Sequence, residues 1–132
     1  MKSRENLLRL KHFQVQDCTR QLAQIDMMIA EFERMSGELA NQIEVEEKKA
    51  GITDTNHFAY PTFAKAARQR VENLEGSIRD LKEKREAAVE KLKEAEEELK
   101  KAELKEARDN GTAEEAAEPV ANSQVERRMM IG

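Results

Sequence analysis

Apolar residues recur at alternating steps of three and four along two long stretches, one on each side of a short segment rich in helix-breaking residues. In the first stretch they occupy two heptad positions. The first position holds Leu8, Val15, Leu22, Ile29, Ile43 and Ala50, with Ser36 polar. The second holds Cys18, Ile25, Phe32 and Leu39, with Lys11 and Glu46 polar. This repeat predicts a helix over about residues 4–50, beginning near an N-cap at Ser3, that packs as a coiled-coil seam.

The second stretch repeats the pattern and predicts a helix over about residues 62–108. One heptad position holds Val71, Ile78, Leu92 and Leu99, with Arg85 polar. The other holds Ala67, Leu74, Leu81, Ala88, Ala95 and Ala102. Alanine on the later half of the seam buries less apolar surface, at about 0.8 kcal/mol per missing CH₂, so we expect that half to be looser.

Residues 51–61 predict a reversal of the chain. Gly51 suits the left-handed cap of the first helix, with Ile52 folding back as its hydrophobic contact. Pro61 disfavours a helical conformation at the preceding residue, so the second helix is predicted to start at Pro61 or Thr62. The fold class is therefore predicted as all-α, an antiparallel coiled-coil hairpin of two long helices.

Folding about this turn pairs Ile43 with Ala67, Ile29 with Leu81, and Leu8 with Ala102. The same heptads would also serve an open helix that dimerises, but the matched lengths of the two stretches favour the hairpin.

A polar stretch follows the second helix. Asp109-Asn110-Gly111 is expected to stop the helix, and residues 109–132 are predicted to form a flexible, disordered acidic tail. Within it, Arg127-Arg128-Met129-Met130-Ile131 has two interpretations, a short docking peptide or a tail end without function.

Two groups of apolar residues fall off the seam. Phe58, Tyr60 and Phe63 either plug the end of the hairpin or form an exposed aromatic contact patch. Leu7, Leu10 and Phe13, with Met27, Met28 and Met35, either pack beside the seam or form a surface that a partner covers.

Composition excludes several classes of function. The net charge is −4 and Lys alternates with Glu, whereas a nucleic-acid-binding protein clusters its Lys and Arg, so no nucleic acid partner is expected. Cys18 is alone on an apolar stripe, and His57 has no ligand partner at metal-binding spacing. No phosphate loop or catalytic constellation is present, so we expect no enzyme activity, catalytic residue, cofactor or metal. With no signal peptide or membrane span, a cytoplasmic location is expected.

A family resemblance adds to this pattern. The motif Ala50-Gly51-Ile52-Thr53-Asp54, followed by Tyr60 and Phe63, lies between two coiled-coil arms. Together with residues 4–10 running into the heptads, it resembles the FliJ family of flagellar export proteins, in its alphaproteobacterial form, over about residues 1–108. More loosely, the chain is similar to the stalk proteins of type III secretion.

The resemblance implies a hairpin similar to the central stalk of rotary ATPases. Such a stalk sits in the flagellar export ATPase hexamer, contacts it with the paired chain ends, binds the cytosolic domain of the export gate near the turn, and escorts export chaperones. It implies a cytoplasmic protein that is recruited to the cytoplasmic face of the inner membrane at the flagellar base through its partners only.

The resemblance also implies where the contacts lie. Tyr60 and Phe63 match the family's gate-binding aromatic positions, with Phe58 beside them, whereas Ser36 and Ala40 stand where some members carry aromatic residues. The ATPase contact falls within residues 7–13 and 99–108. Its candidate residues are Leu7, Leu10, Phe13, Leu99 and Leu104.

The alternative function is a generic coiled-coil chaperone or scaffold, including a homodimeric spacer. A prefoldin-like chaperone needs β-hairpin material at the turn, and residues 51–61 lack the alternating pattern of a strand.

Overall fold

Two long helices make up the protein over residues 2–113, the part of the chain that the computed structural model describes. Helix α1 spans Lys2–Ala50 and helix α2 spans Thr62–Ala113. They pack against each other in antiparallel fashion, and residues 2–113 contain no strand. The predicted all-α coiled-coil hairpin is confirmed. Neither helix, over that range, carries an apolar stretch sufficient to cross a lipid bilayer.

The end of α1 follows the sequence prediction. Gly51 takes a left-handed conformation, with φ of 71°. The amide nitrogens of Gly51 and Ile52 both donate to the carbonyl oxygen of Glu47, at 2.8 and 3.3 Å, which satisfies an otherwise unpaired helix-end carbonyl. At the other end α1 begins at Lys2, so Ser3 lies within the helix and is not its N-cap.

Helix α2 begins where predicted and ends later than predicted. Its first turn is joined by a hydrogen bond from the amide of Lys65 to the carbonyl of Pro61, at 3.1 Å. The expected stop at residues 109–111 is wrong, because the helix continues to Ala113. A glycine inside a helix costs only about 1 kcal/mol relative to alanine, and Asp109 is held by an ion pair to Arg4 at 3.2 Å. Residues 114–132 of the predicted tail lie outside the described range.

The chain divides into two compact units. The first, which we call the turn unit, is Leu22–Ala87. Its core consists of two clusters across the helix pair. One contains Ile43, Tyr60, Ala64 and Ala67, flanked by Leu39, Ile52 and Val71. The other contains Ile29, Ile78 and Leu81, flanked by Ile25 and Phe32. Ile43 thus meets Ala67 and Ile29 meets Leu81, as the heptad register predicts, and Ala64 extends the repeat one step before Ala67.

The second unit, which we call the arm unit, comprises residues 2–21 and 88–113 within the described range. Its buried residues are Ala88, Leu99 and Glu103. Pairs of ionisable side chains join its helices. They are Arg4 with Asp109 at 3.2 Å, Lys11 with Glu98 at 3.7 Å, and His12 Nε2 with Glu103 Oε2 at 3.8 Å. Among the described residues of this unit, Leu99 is the one large apolar side chain that is buried. This agrees with the expectation of a looser seam where alanine is frequent.

Candidate functional site

The turn is fixed by a local network of hydrogen bonds. Asp54 accepts from the amide of Asn56 through Oδ1, at 2.9 Å, and from the amide of His57 through its carbonyl, at 3.1 Å. His57 in turn accepts from the amide of Tyr60 through its carbonyl, at 3.0 Å. An aspartate that bonds its own backbone two residues on stabilises a turn. The loop therefore holds a defined conformation without needing a large core.

Tyr60 joins the turn to both helices. Its hydroxyl donates to Glu47 Oε2 at 2.7 Å and accepts from Arg68 Nε at 2.8 Å. Arg68 Nη2 also donates to Glu47 Oε2, at 2.7 Å. One residue from α1, one from the turn and one from α2 thus form a closed polar triangle, which we call the Tyr60 clamp.

The clamp is also an electrostatic unit. Hydrogen bonds from Arg68 and then Tyr60 hold the pKa of Glu47 below its ordinary value. The same contacts, with Glu47 first and Tyr60 second, raise the pKa of Arg68. The Glu47 side chain is only 13% exposed, so these donors replace most of its contact with water. Glu47 and Arg68 therefore keep their opposite charges at neutral pH.

The three aromatic residues in the turn and at the start of α2 separate into two roles. Tyr60 is 7% exposed, and its ring belongs to the core cluster of Ile43. Its expected role as an exposed contact residue does not fit this burial, because both the ring and the hydroxyl are already engaged within the chain. Phe58 and Phe63 are 96% and 52% exposed and remain accessible to a partner.

Phe58 is held in place although it is almost fully exposed. Its ring stacks on that of His57, with centroids 4.8 Å apart and planes 22° apart. His57 is fixed because its Nδ1 accepts a hydrogen bond from the amide of Ala59, at 2.9 Å. His57, for which the sequence shows no ligand partner at metal-binding spacing, therefore supports the exposed phenylalanine. A ring held in one orientation loses less conformational freedom when it binds.

An open groove of about 740 Å³ lies beside the Tyr60 clamp, between α1 and α2 of the turn unit. Its apolar lining includes Ile43 and Val71, and its charged lining includes Glu44, Glu72 and Lys65. Sequence reasoning missed it, because a heptad pattern shows which residues meet and not where the helices leave space. The groove is open to solvent, so it suits a segment of another chain better than an enclosed small molecule.

The arm unit carries a second exposed apolar surface. Leu7, Leu10 and Phe13 follow one another at helical spacing on α1, and each is 44% to 56% exposed. We call these three residues the α1 strip. Leu104 on α2 is exposed to a similar degree. Leu99, predicted as a contact residue, is 9% exposed and belongs to the seam, because it occupies the heptad position that faces α1.

The methionines beside the seam also divide. Met27 and Met28 in the turn unit are exposed, and Met35 is half-buried. Only Met35 therefore fits the interpretation of flank packing. Met27 provides a reference position, being apolar, exposed and on the same helix as the α1 strip.

Comparisons with protein-family models, with curated proteins and with solved structures found no match to this chain. Across the described residues, no group of three or more His, Cys, Asp or Glu side chains is arranged to hold a metal ion. The features of the described residues that suit binding are exposed phenylalanine and leucine side chains on a helical scaffold.

Proposed function

We propose that this protein is a non-enzymatic component of the flagellar type III export apparatus. In this role it is a stalk that binds the export ATPase ring and links it to the export gate. One observation carries the proposal: each unit of this two-helix coiled coil exposes apolar side chains. They are Phe58 and Phe63 in the turn unit, and Leu7, Leu10 and Phe13 in the arm unit.

The gate contact is assigned to Phe58 and Phe63. Burying an exposed phenylalanine contributes about 1.5–3 kcal/mol, and buried aromatic anchors are frequent among the residues that dominate an interface. Tyr60 has a different task in this proposal. Through Glu47 and Arg68 it fixes the turn that carries Phe58 and that leads into Phe63 at the start of α2.

The ATPase contact is assigned to the α1 strip and to Leu104, with Leu99 supporting the seam beneath. The family resemblance places this contact in the paired chain ends, and the arm unit is the part of the protein that pairs them. Escort of export chaperones, a cytoplasmic location and recruitment to the flagellar base through partners belong to the same proposal and rest on the resemblance.

The direct test is ATP hydrolysis by the purified export ATPase, titrated with this protein. We expect stimulation that saturates near one chain per ATPase hexamer. Phe13→Asp should reduce the apparent affinity about tenfold or more, because a charge replaces an apolar contact. Met27→Asp, a matched change at an exposed residue outside the α1 strip, should leave the titration unchanged. No stimulation over a wide concentration range would reject the proposal.

The gate contact has its own measurement, the binding of this protein to the cytosolic domain of the export gate by calorimetry. Phe58→Ala and Phe63→Ala should each weaken binding by about tenfold. Met28→Ala, at an exposed apolar residue away from the turn, is the control. Equal affinity for all three variants would exclude the two phenylalanines from the contact.

The alternative is a generic coiled-coil chaperone or scaffold that acts as a homodimeric spacer. The α1 strip favours it in one respect, because exposed leucine and phenylalanine side chains also suit a second copy of the chain. Light scattering separates the two. A dimer mass that reverts to a monomer on Phe13→Asp would support the spacer, whereas a monomer at all concentrations would support the stalk.

A further inference from the structure

The α1 strip lies beside the end of α2. The guanidinium of Arg4 pairs with the carboxylate of Asp109 at 3.2 Å, and His12 Nε2 lies 3.8 Å from Glu103 Oε2. The start of α1, which carries Leu7 and Leu10, therefore runs alongside the last turns of α2. Helix α2 ends at Ala113, so the point to which residues 114–132 are attached lies near the start of α1.

Those residues are long enough to return to the strip. Thirteen residues separate Ala113 from Arg127. At up to about 3.3 Å per extended residue they span as much as about 43 Å. Along α1, Phe13 lies about 14 Å beyond Arg4, at about 1.5 Å per helical residue. The chain therefore reaches every part of the strip with slack.

The chemistry of residues 127–131 is complementary to the strip. Two arginines precede Met129-Met130-Ile131, which brings three large apolar side chains together. Methionine is unbranched and adapts to an irregular apolar surface. Asp17 lies one helical turn beyond Phe13 and its side chain is 44% exposed. Its carboxylate accepts a hydrogen bond from Gln21 at 2.9 Å and lies 4.0 Å from Arg20, and the arginines of the tail would add to these contacts.

We propose that residues 127–131 dock on the α1 strip of their own chain. Met129, Met130 and Ile131 cover Leu7, Leu10 and Phe13, and the arginine pair faces Asp17. The tail then competes with any partner that uses the strip, so that a partner must displace it. The proposal stands on the arm unit and on the sequence of the tail, and it does not require the assignment to flagellar export.

Docking within one chain needs only weak intrinsic affinity. A short linker gives an effective concentration in the millimolar range, so a contact too weak to hold a separate peptide still holds a tethered one. Burying apolar surface contributes about 25 cal/mol per Å². Covering a few half-exposed apolar side chains therefore supplies enough free energy to hold a tethered segment. A second copy of the chain lacks this advantage at micromolar concentration.

The test uses trypsin, which cleaves after Arg127 and Arg128. In the full chain, we expect the double variant Leu10→Asp, Phe13→Asp to lose the residues beyond these sites about tenfold faster than the wild type. The matched control Met27→Asp should be cleaved at the wild-type rate. Circular dichroism checks that both variants keep their helices, as substitutions at exposed positions should. Equal cleavage rates for wild type and double variant would overturn the proposal.

A second measurement tests whether the α1 strip is covered by the tail of its own chain or by a second copy of the chain. In a Cys18→Ser background, Phe13→Cys combined with Met130→Cys should form a disulfide within one chain under mild oxidation. Met27→Cys combined with Met130→Cys should form it much more slowly. Crosslinking between chains, or tryptic protection that grows with protein concentration, would show that a second copy covers the strip and would overturn docking within the chain.

Discussion

The turn unit and the arm unit share one heptad repeat but differ in how they use it. In the turn unit, isoleucine and leucine meet alanine so closely that Ala64 has no exposed surface and Ile43 is 6% exposed. In the arm unit the seam holds Leu8, Val15 and Ala102, all of which remain half-buried, and a charged residue, Glu103, takes a buried place. A continuous repeat therefore specifies the partner helix without specifying how tightly the two helices pack.

The difference also extends to polar contacts. The turn unit is joined by the Tyr60 clamp, whose three hydrogen bonds are 2.7 to 2.8 Å long. The ion pairs across the helices of the arm unit are longer than the contacts of the clamp, at 3.2 Å for Arg4 with Asp109 and 3.7 Å for Lys11 with Glu98. Exposed ion pairs contribute only about 0–1 kcal/mol each. The turn unit should therefore be the more stable of the two.

The largest expected effect is that of Ile43→Asp. A charge without a partner in the cluster of Ile43, Ala64 and Ala67 should cost more than about 4 kcal/mol and abolish most of the helical signal in far-ultraviolet circular dichroism. Leu8→Asp, at a half-buried seam position of the arm unit, is the matched change and should cost clearly less. Equal losses from both would remove the proposed difference between the units.

The next largest effect is that of Tyr60→Ala. Loss of a buried ring should cost about 3 kcal/mol, to which the loss of two hydrogen bonds adds, and the melting temperature should fall. Phe58→Ala, at a ring in the same turn that is almost fully exposed, should change stability by no more than about 0.5 kcal/mol. If Tyr60→Ala melted like the wild type, the clamp would be dispensable.

Replacing alanine by leucine at the same heptad position should lower the free energy of unfolding in the turn unit and raise it in the arm unit. Ala67→Leu places a larger side chain at a position that is 3% exposed and should cost about 1–3 kcal/mol. Ala95→Leu occupies the equivalent heptad position in the arm unit, where alanine is half-buried, and should stabilise by up to about 1 kcal/mol. Urea unfolding measures both. Destabilisation by Ala95→Leu would mean that the arm seam is already closely packed.

The smallest effect concerns pH. The pKa of Glu47 in the folded protein lies below its ordinary value of 4.5, so its contribution to stability is fully present above pH 4.5. That contribution is lost as the pH falls from 4.5 through the lower folded pKa. The difference in melting temperature between wild type and Glu47→Gln should therefore shrink towards pH 3. Glu44→Gln, at an exposed neighbour, is the control. A difference that stayed constant with pH would exclude a role for the charge of Glu47.

Much of the fold could be predicted because it depends on neighbours in sequence. The heptads specified that Ile43 meets Ala67 and that Ile29 meets Leu81. Gly51 followed by Ile52 specified the end of α1, because a left-handed glycine cap is a local property of the chain.

The site could be predicted only in part, because its residues combine through space. The role of Tyr60 depends on Glu47, thirteen residues earlier, and on Arg68, eight residues later, and no local pattern links the three. The heptad position of Leu99 indicated that it faces α1, whereas the family resemblance implied a contact with a partner. Its burial agrees with the heptad position. The continuation of α2 past Asp109 involves its pairing with Arg4, a contact that exists only once the helices have packed.

Residue-resolved amide hydrogen exchange tests the contrast between the two units most directly. Exchange should be slowest in the turn unit, with the amides of Ile43 and Ile78 protected about tenfold or more beyond those of Val15 and Ala95 in the arm unit. All four lie well inside their helices, so fraying at the ends does not decide the result. Equal protection in the two units, or stronger protection in the arm unit, would contradict the account.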